Sequence, residues 1–311
     1  MKPFSSKIKN VWRAALSLLV AFALSTSAAL AQTARIAYIA PVTVKLPGGS
    51  KTYNQIFTMN PDGSGAIQLT SSATNSLNPV WSPSQQYIAF NRGNVLWVME
   101  AKGEITGGRS FPVASAGNWR QDWSPNGSEI CFVGPGSASG LYRVAVSADT
   151  GAVGTPVLVR GGPEVFWPSW SPDGTRIAFC SSDDPVTQYI KVLQLATGTE
   201  ITFGVGPTGS YNFTPEWKPD GSQIAFSGPV TTTTTARNGR QTSSTRLQIF
   251  IANADGSNIT QVTRNTTDTM RPAWSPDGAS LAYHCGGIYT TVIGSGVSTF
   301  LNSGNQPDWA P

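Results

Sequence analysis

The residues best able to do chemistry stand at matching places in a repeated pattern. Asp122, Glu216 and Asp308 each immediately precede a tryptophan, and Arg120 and Arg271 each lie three residues before one. Carboxylates gathered at one place could serve as general acid and base in glycoside chemistry, or offer oxygen ligands to Ca2+. These three lie far apart in the chain and show no calcium-binding spacing, so neither a metal nor another cofactor is expected. The only histidine, His284, adjoins Cys285 at the end of a strand-like segment. Neighbouring residues of a strand face opposite sides, which argues against a Cys–His pair, and one histidine cannot build a histidine metal cluster. Asp183–Asp184 reads as a solvated turn. No catalytic residue is expected.

A second constellation suits recognition. Three residues before successive tryptophans stand Asn78, Arg120, Trp167, Thr214, Arg271 and Gln306; four before stand Leu77, Trp119, Phe166, Phe213, Met270 and Asn305. Aromatic residues and arginine are favoured anchors at protein interfaces. The expected partner-binding mouth comprises Trp119, Arg120, Asp122, Phe166, Trp167, Phe213, Glu216, Met270, Arg271 and Asp308.

What positions these residues is a repeat. Trp170–Phe179 reads WSPDGTRIAF, and variants begin at Trp81, Trp123, Trp217 and Trp274. A sixth copy is split: WAP ends the chain, and QTARIAY, from Gln32 to Tyr38, completes the pattern. In each copy a strand ends at the tryptophan. Pro and Gly then supply a fixed and a left-handed turn position, and the IAF segment is the next strand. A third strand (QIF at 55–57 and again at 248–250) and a short fourth follow around Asp-Gly turns. Four strands about every 40–45 residues define a propeller blade. The fold class is therefore all-β: a six-bladed propeller of four-stranded antiparallel blades, its ring closed by pairing of the C-terminal strand with the N-terminal strands. The tryptophans are expected to pack between blades. The Thr-rich stretch 229–245 reads as a mobile surface loop, and 41–54 as a loop rich in Gly and Pro. Variable b–c and d–a loops (second to third strand, and fourth to the next first) put the expected binding face at their end of the ring.

Residues 1–31 carry Lys2, Lys7, Lys9 and Arg13, an apolar run from Ala14 to Leu24, and Ala29-Leu30-Ala31 before Gln32. This is the pattern of a cleaved signal peptide, leaving a propeller of residues 32–311 with no transmembrane anchor. The full chain has 21 Lys plus Arg against 17 Asp plus Glu, and four of the basic residues lie in that leader. The remainder is balanced, which excludes a basic nucleic-acid surface. The three cysteines, Cys131, Cys180 and Cys285, are an odd number and read as small buried apolar groups.

The WSPDG…IAF and NADGSN…VT segments resemble the propeller repeats of the TolB family, and the resemblance extends over residues 32–311. It implies a periplasmic or secreted propeller with a protein or peptide partner in the cell envelope; a monomer is expected. In that family the partner is Pal, a peptidoglycan-associated lipoprotein, and an α/β domain precedes the propeller; no such domain is expected in this chain. Related propellers occur in prolyl oligopeptidases, but no GxSxG elbow follows here. The expected function is non-catalytic binding through the loop face. The alternative is a carbohydrate-active hydrolase or lyase using the channel carboxylates.

Overall fold

A computed structural model describes residues 35–117, 120–135, 140–162, 164–184, 187–207 and 210–311. The leader 1–31 and Trp119 lie outside the described residues, as do the side chains of Asp183 and Asp184.

Six antiparallel sheets form the blades of a propeller. Blade 2 has the plain form: Ser76–Trp81, Tyr87–Arg92, Val95–Glu100 and Ser110–Ser115, in that spatial order. Blade 4 (Val165–Trp170, Arg176–Asp184, Thr187–Gln194, Glu200–Phe203) and blade 6 (Met270–Trp274, Ser280–His284, Ile288–Val292, Ser298–Asn302) repeat it. Blade 3 runs Asp122–Trp123, Glu129–Val133, Gly140–Ser147 and Val157–Gly161, with the short strand Ala152–Val153 also paired to Gly140–Ser147. Blade 1 takes its innermost strand, Asn305–Trp309, from the C-terminus; it pairs with Ile36–Leu46, Ile36 opposite Trp309. Gly49–Met59 and Ile67–Gln68 complete that blade.

Each blade is apolar on both faces because its IAF-type strand and its neighbours must pack against two other blades. Six apolar layers result, one between each consecutive pair, and each receives the repeat tryptophan of one blade. The layer between blades 6 and 1 joins Ala282 and Ile288 to Ile36, Tyr38 and Met59. Five of the tryptophans are buried, with only 4–6% of their surface exposed, and Trp309 is half-buried. The turn that follows is stitched locally. In blade 4, Ser171 Oγ donates to Asp173 Oδ1 at 2.6 Å, the same oxygen accepts from Thr175 N at 2.9 Å, and Gly174 takes φ +74°.

Two stretches expected as loops are strands. Residues 229–245 form most of a long hairpin, Gln223–Thr235 with Gln241–Asn253, in continuous register from Gln223↔Asn253 to Thr235↔Gln241. Residues 41–54 belong likewise to Ile36–Leu46 and Gly49–Met59 in blade 1. Each hairpin continues a ladder begun in its blade, and β-branched residues suit the extended backbone while hydroxyls pair across the ribbon. Thr231 and Thr245 approach to 2.8 Å, Thr233 and Ser243 to 2.9 Å, and Thr43 and Thr52 to 3.1 Å. Together with Phe213–Trp217 and Thr260–Gln261, the longer hairpin makes blade 5.

Removing residues 305–311 strips blade 1 of its inner strand and leaves Ile36–Leu46 as an open edge. The truncated protein is expected to melt on the order of 10 °C or more below the parent. An unchanged melting temperature in a calorimetric scan would show that this strand does not support the blade.

Candidate functional site

The innermost strands line a central channel, and their side chains alternate. Residues three before and one before each tryptophan face inward. At roughly 3.3 Å per residue, the second set lies about 7 Å further towards the turn end. In five blades the register slips between these positions, and the residue three before the tryptophan takes a left-handed backbone: Asn78 φ 52°, Trp167 φ 48°, Thr214 φ 50°, Arg271 φ 60° and Gln306 φ 55°. Such values are uncommon for non-glycine residues, and for a bulky one such as Trp167 they mark strain held by the surroundings. Each of the five precedes a proline. That x-Pro-x-Trp pattern is the sequence signal from which the bulge could have been read.

At the loop end the channel is almost shut. Asn78, Arg120, Trp167, Thr214, Arg271 and Gln306 surround a cavity of only about 20 Å³. The blades are laced together here, neighbours and non-neighbours alike. Gln306 Oε1 accepts from Asn78 N at 2.5 Å, Arg271 Nη1 donates to Asn78 Oδ1 at 3.0 Å, and Gln121 Nε2 donates to Asn78 O at 2.6 Å. Burial, then the charge of Arg120, lowers the Arg271 pKa to about 10.

Asp122, Glu216 and Asp308 were expected at this mouth, but they line a different space. It is a cavity of about 290 Å³ at the opposite, turn end, walled by the repeat tryptophans and the prolines two residues after them. The correction follows from the alternation: a residue one before the tryptophan lies a full strand period nearer the turns. Arg120 borders both spaces and forms the partition between them. Its guanidinium donates to Glu216 and, at 2.6 Å, to Asp308 Oδ1. Although burial opposes its charge, the surrounding carboxylates hold Arg120 firmly protonated. Asp308 Oδ2 also accepts from Trp81 N at 2.8 Å, and Asp122 Oδ2 from Trp170 N at 2.6 Å, each a link to the next blade. Burial, then the charge of Glu216, pushes Asp122 up to about 8. Burial also raises Asp308, to about 6, despite Arg120.

On the loop face an aromatic row leads away from the mouth. Phe166 lies 5.7 Å from Trp167, Trp167 packs edge-on against Phe213 at 5.3 Å, and Phe213 stacks on Tyr211 at 6.0 Å with the planes 5° apart. Tyr211, not anticipated from sequence, is 44% exposed. It stands two residues before the strand Phe213–Trp217, outside the three- and four-before positions, and forms a parallel bridge to Gln188. Beyond it a cavity of about 550 Å³ opens beneath the blade 5 hairpin, bordered by Pro207, Tyr211, Phe213, Pro229, Arg246 and Asp268. Met270 sits half-buried at the start of its strand, opposite His284. Burial, then the charge of Arg271, lowers the His284 pKa. Cys285 Sγ meets Thr267 Oγ1 at 2.9 Å, and all three cysteines are free thiols. Among the described residues, no group of three His, Cys, Asp or Glu is placed to hold a metal, and no helix is long and apolar enough to cross a membrane.

Fold and channel together define a six-bladed propeller with a blind, aromatic-walled cavity at one end and a constricted mouth at the other. A model of the TolB β-propeller domain matches residues 130–287, about half of the chain, and the chain belongs to that family. A 74-residue stretch is 36% identical to the Tol-Pal system protein TolB of Alcanivorax borkumensis; it covers 21% of this chain and 17% of that protein. Among solved structures, a protein assigned as TolB from Agrobacterium tumefaciens superposes with a TM-score of 0.65 at 19% identity, over 88% of this chain and 91% of the other. TolB from Acinetobacter baumannii gives 0.62 at 17% identity, over 89% and 66%. At these identities the structural likeness is one of fold.

The buried carboxyls make stability depend on pH. An Asp near 3.9 in the unfolded chain that rises on folding to about 8 binds more protons in the folded state between those values. Its contribution to stability is therefore complete below about pH 4 and declines as pH rises through that window. His284, lowered on folding, works in the opposite sense, so the informative quantity is the difference between variant and parent. Asp122→Asn is expected to gain stability relative to the parent steadily from about pH 5 to about pH 8 in paired denaturation curves. A constant difference across that range would mean Asp122 is not raised.

Proposed function

We propose that this chain is an exported, non-catalytic binding propeller whose loop face grips a segment of a protein partner in the cell envelope. The observation that carries this reading is the aromatic row from Trp167 through Phe213 to Tyr211, running from the strained channel mouth to the cavity under the blade 5 hairpin. Large, preorganised aromatic surfaces beside an arginine are the groups that dominate binding energy at protein interfaces. Trp167 and Arg271 are held by left-handed backbone that the lacing between blades enforces, so little is lost in ordering them on binding.

Export and an envelope location rest on the basic-then-apolar leader ending before Gln32, and on a relative whose name places it in the Tol-Pal system. Because the match to that relative is short, its system and its partner are not carried over to this chain. The balanced charge of residues 32–311 supports a protein partner rather than a nucleic acid. A monomer and the absence of a cofactor remain part of the same proposal.

The carbohydrate-active alternative needs a protonated acid and a free carboxylate base flanking a scissile bond. Asp122 could supply the first. Glu216 and Asp308, however, are both engaged by Arg120, which argues for binding over hydrolysis.

The test is capture from an envelope extract, with the bound protein identified and the interaction rebuilt from purified components. Replacing both Trp167 and Tyr211 by Ala is expected to weaken the reconstituted complex at least tenfold, since two aromatic anchors would go. Equal affinity in a variant that melts like the parent removes the loop face from the reading. The exported product is expected to begin at Gln32 when its N-terminus is sequenced.

A further inference from the structure

The cavity at the turn end is a second candidate site, on the face opposite the one assigned to partner binding. Its walls are indole and pyrrolidine rings from all six blades, and its inner end carries Asp122, Glu216 and Asp308 around Arg120, the one cation among the described residues that line it. Arg120 pairs with Glu216 and Asp308. Asp122 has hydrogen bonds from Trp123 N at 2.9 Å and Trp170 N at 2.6 Å, but among the described residues it makes no ion pair. Three carboxyls against one guanidinium leave the site short of positive charge.

The walls are suited to a cation as well. Two of these tryptophans already receive one: Arg176 Cζ lies 4.5 Å from the centre of the Trp217 ring, and Lys218 Nζ lies 6.0 Å from that of Trp274. Indole is the side chain that attracts cations best. The cavity is blind, since the partition formed by Arg120 leaves only about 20 Å³ on the far side. A ligand must therefore approach from the turn face and insert its charged end first.

We propose that this cavity binds the side chain of a lysine presented by a polypeptide, its ammonium meeting Asp122 and its methylene stem lying against the tryptophan and proline walls. A metal ion fits less well, because it needs several oxygen ligands at once and Arg120 already engages two of the three carboxylates. Arginine fits less well too. Its planar fork seeks two free oxygens of one carboxylate, and both oxygens of Asp122 already accept a backbone N–H, which suits a compact point charge better. The four-carbon stem of lysine is apolar along its length and buries readily against rings while its head stays charged. The ammonium enters charged and Asp122 gives up its proton to solvent, so binding releases a proton wherever Asp122 is protonated beforehand.

The test is titration of the full-length mature protein with Nα-acetyl-lysine-N-methylamide, followed by tryptophan fluorescence and calorimetry. The uncharged norleucine analogue and the arginine analogue serve as comparisons. Saturable millimolar binding of the lysine probe is expected, at least tenfold tighter than either comparison. Binding should tighten as pH rises towards 8, with proton release seen as a dependence of the heat on the buffer. Asp122→Asn, nearly isosteric, is expected to weaken the lysine probe about tenfold while leaving the melt cooperative. A lysine-containing peptide should match or exceed the free probe; binding of the free probe alone would overturn the polypeptide assignment. Equal binding of lysine and norleucine probes, preference for arginine, an undiminished affinity in a folded Asp122→Asn protein, or no saturable response would each overturn the proposal.

Discussion

The structure depends on the apolar layer between consecutive blades. A four-stranded sheet with two apolar faces is insoluble as an isolated object, and it becomes stable only when both faces are covered. Each layer here is filled by a tryptophan together with the Ile, Ala and Phe of the neighbouring strands, as in the group of Trp81, Ile88, Phe90 and Ile56 between blades 1 and 2. Burying an aromatic of that size removes a large area from water, and no smaller residue would span the wedge. The layer joining Tyr38 and Ile36 to Ala282 and Ile288 sets the first blade against the last, so every sheet face has a partner.

Packing of this kind also explains why the channel is polar. Once the flat faces of the blades are used for the layers, the inner edges are the places where strands of different blades converge on one axis. Side chains there must satisfy one another. Trp81 N donates to Asp308 and Trp170 N to Asp122, tying inner strands of adjacent blades, and Arg120 pairs with two carboxylates from blades that do not adjoin its own. Three buried carboxyls around one guanidinium is a costly arrangement in a low-dielectric setting, and it is offset by the backbone N–H groups that donate to Asp122 and Asp308 and by the pairing of Arg120 with Glu216 and Asp308. The two ends of the channel consequently differ: a laced, nearly closed mouth beside an aromatic row, and an open, tryptophan-walled cavity ending in acid.

The hairpins of blades 1 and 5 carry a further lesson about composition. Polarity and threonine content read as loop, because a solvent-exposed segment without an apolar face gives no period-two pattern. The hydroxyl pairs Thr231–Thr245 and Thr233–Ser243 instead extend the ladder past the blade. Strand formation there is decided by the continuity of a hairpin already begun in the core at Gln223↔Asn253, which no local count of apolar residues reveals.

What the amino-acid sequence determined by itself was the repeat: six copies of one strand–turn–strand unit, hence the number and kind of blades, the tryptophans between them, and the inward row containing Arg120, Trp167 and Arg271. That much is legible because turn chemistry and strand alternation are local and recur in every copy. Only the tertiary structure decided which end of the channel each inward residue serves. It moved Asp122, Glu216 and Asp308 away from the mouth, brought Tyr211 onto Phe213, and turned the tryptophan ring from pure packing into the wall of a cavity. The reason is geometric. Depth along a channel depends on bulges and on how six strands from distant parts of the chain are staggered about an axis, and those offsets arise only when the blades pack.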